Sequence, residues 1–165
     1  FPPSVHKIVG LINSHEGASL DALANIMSRD NNTTSIKEFD LILIDGDHNY
    51  ETVSQELKFA LDLLSPHGII ICDDYHGRGG LQDEFFSQTD NFFEGTKTHV
   101  DVIKEKLLKP EDVKDKTKQG IKAAVDDFVE ENKDNNWSLN TPSKVWTDNG
   151  APIILYRKGG MVEFE

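Results

Sequence analysis

Apolar positions along the chain fall into two kinds of pattern, and their alternation predicts the fold. Lys7–Asn13 carries Ile8, Val9, Leu11 and Ile12 and predicts a short strand. Behind Ser19, a good N-cap residue, Leu20, Leu23, Ala24 and Met27 recur at helical spacing, so a helix is expected from Ser19 to Ser28. A polar loop follows at Asp30–Ser35. Phe39-Asp40-Leu41-Ile42-Leu43-Ile44 is then nearly unbroken apolar sequence closed by Asp45, which suits a strand buried on both faces of a parallel sheet. Between Tyr50 and Leu64 the period is helical again, with Val53, Leu57, Ala60, Leu61 and Leu64 on one face. Ser65-Pro66-His67-Gly68 stops that helix, and Ile69–Cys72 is a second apolar strand running into Asp73-Asp74. Ile121, Ala124, Val125 and Phe128 mark an amphipathic helix over Ile121–Glu131. Trp137–Leu139 and Ile153–Tyr156 predict a terminal antiparallel pair around the turn-rich Asp148-Asn149-Gly150.

Strands alternating with helices across short connections predict an α/β chain, with a doubly wound, mostly parallel sheet and an antiparallel C-terminal strand. Phe39–Ile44 and Ile69–Cys72 should lie side by side in it. The chain is expected to form one domain over residues 1–165, with an insertion at about 76–119. That insertion is rich first in Gly and Phe, then in Lys, and reads equally as a lid over the strand ends or as a solvated loop.

Composition narrows the function. The 165 residues carry 17 Lys plus Arg against 29 Asp plus Glu, a formal charge of −12, which disfavours nucleic-acid or anionic-membrane partners. No apolar run approaches the roughly 18 residues of a membrane span. Cys72 is the single cysteine, so neither an intrachain disulfide nor a multi-thiolate zinc site can form. This suits a cytoplasmic or other reducing compartment. Phe1-Pro2-Pro3-Ser4 lacks the basic start and apolar stretch of a signal peptide, and a start without Met predicts a trimmed N-terminus.

The chemistry concentrates at two strand ends. Asp45-Gly46-Asp47-His48-Asn49-Tyr50 follows one apolar strand, and Asp73-Asp74-Tyr75-His76 follows the next. In a doubly wound sheet ligands bind beyond these carboxyl ends. If the strands are neighbours, Asp45, Asp73 and Asp74 converge and repel, and a hard divalent cation, Mg²⁺ first, would compensate them. The plainer alternative makes each acid a loop starter, with Asp47 and Asp74 capping or bonding turn backbone. His48 and His76, close behind the acids, are candidates for a general base or a ligand.

Phe39–Glu51, the helix after it, Leu63-Leu64-Ser65-Pro66-His67-Gly68 and Ile69–Tyr75 together resemble class I S-adenosylmethionine-dependent O-methyltransferases. The likeness is to their small-molecule branch, with D-G-D-H-x-Y after one strand, L-x-P-G-G before the next and D-D-Y at its end. Gly120–Phe128 is similar to the helix that follows. The resemblance implies a Rossmann-like fold, S-adenosylmethionine as cofactor, Mg²⁺ assistance and a small-molecule hydroxyl as acceptor. By position it implies metal carboxylates at Asp45, Asp73 and Asp74, and cofactor contacts at Asn13, Ser14, Asp45, Asp47 and Tyr50. It also implies a catalytic base at His76.

Two departures accompany the resemblance. His67 stands where the family has Gly. More seriously, Gly10 and Gly17 are isolated, no G-x-G-x-x-G precedes Asp45, and no acid ending an earlier strand is placed to hold a ribose. The N-terminal part of the family fold, with its cofactor loop, is therefore expected to be absent from these residues, and cofactor binding to be weak. The alternative function is an inactive methyltransferase-like scaffold, as a homo-oligomer or within a larger assembly. A phosphoacceptor receiver domain is set aside, because its acidic pair would precede the acceptor Asp, whereas Asp45 precedes Asp73-Asp74.

Overall fold

The computed structural model describes residues 18–28, 38–88, 105, 107–140 and 150–158. The expected strand at Lys7–Asn13 lies outside them, as do Asn13, Ser14 and much of the insertion. The described elements are α1 (Ser19–Ser28), β1 (Phe39–Ile44), α2 (Tyr50–Leu63), β2 (Leu64–Cys72), the single-turn α3 (Arg78–Leu81), α4 (Gly120–Glu131), β3 (Trp137–Asn140) and β4 (Ile153–Arg157). The sheet order is β1-β2-β4-β3. β1 and β2 pair in parallel, while β4 runs antiparallel to both of its neighbours. This is the α/β, Rossmann-like arrangement expected, with β1 and β2 adjacent and an antiparallel C-terminal strand. Among the described residues the sheet is mixed, with one parallel pair and two antiparallel ones.

The turn expected at Ser65–Gly68 is built differently. β2 begins at once after α2, and Phe39 pairs with Leu64 while Leu41 pairs with Ile69, so Ser65–Gly68 bulge out opposite Asp40. Ser65 Oγ donates to Asp40 Oδ1 at 2.6 Å, which fastens the bulge to the neighbouring strand. Gly68 is required there, because a Cβ would lie 2.8 Å from the Phe39 carbonyl oxygen. Helix-ending chemistry and strand bulging thus share four residues.

The core joins the apolar face of α2 (Val53, Leu57, Ala60) to that of α4 (Ile121, Ala124, Val125, Phe128) and to Ile70, Cys72, Ile153 and Leu155 of the sheet. Phe128 meets Trp137 edge to face at 5.3 Å between ring centroids. β1 departs from the doubly buried reading. Its side chains alternate, Ile44 buried and Leu41 and Leu43 exposed, so one face of this strand is open.

Both long helices start on one carboxylate. Asp83 Oδ1 accepts from Tyr50 N at 2.8 Å and from Gly120 N at 2.7 Å, the first residues of α2 and α4. Asn49 completes the α2 cap by accepting from Thr52 N at 2.8 Å. Gln119, ahead of α4, makes no side-chain cap, so α4 relies on Asp83. Each cap of this kind is worth about 1 kcal/mol. Asp83→Ala should therefore cost about 2 kcal/mol, read as a lower urea midpoint at unchanged slope. A loss under about 0.5 kcal/mol would show that water replaces the carboxylate at both helix ends.

Candidate functional site

β1 and β2 end level with one another. The Asp73 N–H donates to the Ile44 carbonyl at 3.0 Å, extending the parallel ladder by one step, so Asp45 and Asp73 leave the sheet side by side. Asp74 follows in the left-handed region at φ 51°, a conformation that Asp tolerates better than most residues. Gly150 (φ 85°) packs directly on it, since a Cβ there would sit 2.3 Å from Asp74 Oδ1.

Between these acids stands an imidazole. His48 Nδ1 lies 3.2 Å from Asp74 Oδ2, and His48 Nε2 lies 3.6 Å from Asp45 Oδ1. The two nitrogens sit on different sides of the ring, so the ring separates the carboxylates. His48 is buried, braced edge to face against Phe86 at 5.7 Å, and its Nε2 has no hydrogen-bond partner. Asp74 is held above the usual carboxylate range, first by burial and then by Asp73, Asp45 and Glu84, with His48 opposing. Among the described residues no group of three or more His, Cys, Asp or Glu has the geometry to hold a metal ion. The acids therefore meet at one edge, but as they stand they do not form a Mg²⁺ coordination sphere.

Asp47 and Tyr50 point into the protein. Asp47 is 4% exposed, and its Oδ2 accepts from Asn49 Nδ2 at 2.7 Å while its Oδ1 accepts from Phe86 N at 2.8 Å. This is the turn-bonding role weighed above for such an acid, and burial raises its pKa against those bonds. The Tyr50 hydroxyl donates to Asp127 Oδ2 at 2.7 Å, and Lys118 bridges the pair. Tyr75 repeats the arrangement with Asp126 and Lys122. Each tyrosine thus ties one site loop to α4. His76 is half-buried; its N–H donates to Ala151 O and its carbonyl accepts from Gly150 N, both at 3.1 Å, so backbone bonds pin it to the segment just ahead of β4. Its ring meets Tyr75 edge to face at 4.8 Å.

A cavity of about 490 Å³ opens on the same side of β1, lined by Ser19, Ala22 and Leu23 of α1, Ile42, Leu43 and Ile44, Asp45 and Gly46, and Glu56 and Ala60 of α2. Glu56 escaped the residue-level reading of the sequence. It is 4% exposed, its Oε2 lacks a partner, and burial pushes it up to about 7, with Asp47 adding to the shift and Ser19 opposing it. A signal was present, because Glu56 falls between Val53, Leu57 and Ala60 on the apolar face of α2, where an acid is out of place. Asp83 gave no comparable signal, since its value lies in two backbone partners distant in sequence.

Residues 5–75 match the family model of a methyltransferase domain. The sequence resemblance is thus matched at the level of a methyltransferase domain, over a segment that includes D-G-D-H-N-Y and D-D-Y. Among solved structures, the O-methyltransferase from Bacillus cereus in complex with SAH is 19% identical with a TM-score of 0.45, covering 86% of this chain and 47% of that one. The chain thus spans about half the length of that protein. No curated protein matches the chain. No helix among the described residues is long and apolar enough to cross a membrane.

Burial of Glu56 has a signed consequence for stability. Its folded pKa lies above its unfolded one, so the folded state holds the extra proton between about 4.5 and 7. Stability is accordingly greatest below that window and falls as pH rises through it, by about 3 kcal/mol at most. Glu56→Gln should remove that fall, so its stability advantage over the unsubstituted protein should grow from pH 4.5 to pH 8 in urea melts. An advantage independent of pH would place the Glu56 titration elsewhere.

Proposed function

We propose that this chain serves S-adenosylmethionine-dependent transfer of a methyl group to the hydroxyl oxygen of a small molecule. The observation that carries the reading is the match of residues 5–75 to a methyltransferase domain, with the acid- and histidine-bearing loops of that segment gathered at one sheet edge. The cavity beside β1 suits the cofactor, having apolar walls for its flat parts and carboxyls for a cation. When bound, the cofactor supplies a methyl group made transferable by its sulfonium charge. Asp45 and Gly46 form the part of the wall nearest the strand ends, where the substrate oxygen would approach. His76, held by backbone bonds to Gly150 and Ala151, takes the hydroxyl proton on its imidazole. Asp47 and Tyr50 serve cofactor binding indirectly, by fixing the loop that carries Asp45. Asn13 and Ser14 remain candidates for contacts to the adenine.

Mg²⁺ assistance through Asp45, Asp73 and Asp74 belongs to this reading only if His48 leaves the space between Asp45 and Asp74. A non-catalytic scaffold is the second reading, favoured by the internal use of Asp47, Tyr50 and His48. Full-length protein incubated with S-adenosylmethionine and a panel of catechol, phenol and sugar hydroxyls should form S-adenosylhomocysteine. His76→Ala should slow that turnover by roughly 10²–10⁴-fold without weakening cofactor binding. Cofactor binding with no turnover on any acceptor would favour the scaffold. Activity abolished by a chelator and restored by Mg²⁺ would favour the metal-assisted form.

A further inference from the structure

Glu56 is buried at the wall of the cavity beside β1, and nothing in the proposed reaction uses it. The groups facing it are the Ser19 hydroxyl from α1, Asp47 from the loop after β1 and the buried Cys72 thiol from β2. Asp45 lines the same cavity, and among the described residues no Lys, Arg or His does. Ionised Glu56 therefore has no cationic partner among the described residues around it, and its Oε2 has no hydrogen-bond partner. An uncompensated carboxylate in a low-dielectric cavity attracts a positively charged occupant much more strongly than it would in water. A neutral occupant gains nothing comparable, and an anionic one is repelled.

We propose that Glu56 selects the occupant of this cavity by charge, favouring a sulfonium cation over its neutral thioether product and over anionic nucleotides. The inference rests on the cofactor reading given above and adds to it a specificity-determining residue. Its consequence is product release. Once the methyl group has left, the sulfur is a neutral thioether while the amino-acid tail keeps its ammonium and carboxylate, and the attraction of Glu56 for the sulfonium is lost. The preference is strongest where Glu56 is ionised, above about pH 7. Binding the cation shifts Glu56 towards ionisation and releases a proton into solvent near neutrality.

The test is calorimetric titration of the full-length protein with S-adenosylmethionine and S-adenosylhomocysteine at pH 6 and pH 8.5, before and after Glu56→Gln. For the unsubstituted protein the affinity ratio of cation to thioether should rise about fivefold between the two pH values, the change that a one-unit drop of Glu56 from about 7 on binding requires over that range. In Glu56→Gln the ratio should lose that rise and stay near its low-pH value. Ionisation of the ligands themselves is common to both proteins and leaves the difference between them untouched. Equal ratios in the two proteins at both pH values would overturn the inference while leaving the cofactor reading intact. Failure of both ligands to bind at millimolar concentration would instead overturn the cofactor reading, and this inference with it. Glu56→Gln removes a buried charge, so the variant should fold at least as stably at pH 8.5, and its urea melt verifies this before titration.

Discussion

Two carboxylates, Asp83 and Asp47, fix the geometry on which the site depends. Asp83 uses one oxygen to terminate both α2 and α4, and Asp47 reaches from the loop after β1 to the backbone of Phe86. The Glu84 N–H donates to the His48 carbonyl at 2.9 Å, between these two anchor points. The segment 83–86 is thereby sewn to the loop 47–50 at every second residue or closer. Three polar contacts between such short stretches leave the loop little choice of path, because breaking any one strands a desolvated group. The positions of Asp45 and His48 follow from that path, as does the start of the helix that carries Glu56.

The same constraint explains how the acids at the sheet edge coexist. Three carboxylates on adjacent strand ends need a compensating group, and a divalent cation is one answer to that need. Here His48 is carried into the gap by a loop that Asp47 and Asn49 hold rigid, and it reaches Asp45 and Asp74 through opposite nitrogens. Compensation by an imidazole differs from compensation by a metal ion in one respect that matters for chemistry. An imidazole meets its neighbours through two directed ring nitrogens, whereas a metal ion would chiefly bind and polarise oxygen. Gly150 then packs on Asp74 and pairs its backbone with His76, which joins the end of β2 to the segment ahead of β4.

Much of this architecture was legible in the residues. The strand–helix–strand unit from Phe39 to Cys72 follows from two apolar runs separated by a helical period, and the observed limits of α1 and β1 coincide with the pattern that predicts them. The terminal antiparallel pair follows from two short apolar segments around turn-forming residues. Features made by partners distant in sequence were not legible. The bulge at Ser65–Gly68 depends on Asp40 in the neighbouring strand, and the double cap depends on Asp83, which lies in a stretch without periodicity. Asp47 and Asp45 look alike in D-G-D-H, and only the approach of Phe86 turns one inward while the other stays at the edge.

Glu56 marks where local consistency fails and why that failure is informative. A helix face built from Val53, Leu57 and Ala60 would be more stable with Leu or Met in place of the acid, since burial, with Asp47 adding to it, pushes this carboxyl up to about 7. The hydrogen bond from Ser19 recovers only part of that cost, and the unpartnered oxygen recovers none. A purely structural role would place a donor against both oxygens, as Asp47 has in Asn49 and Phe86. The two buried acids differ in this single respect: Asp47 is satisfied from within the fold, whereas Glu56 lines a cavity with one oxygen unmatched. A buried carboxyl at a cavity wall, only partly satisfied by Ser19, gains from a cationic occupant what the fold does not supply, which ties the energetics of α2 to the occupancy of the cavity it lines.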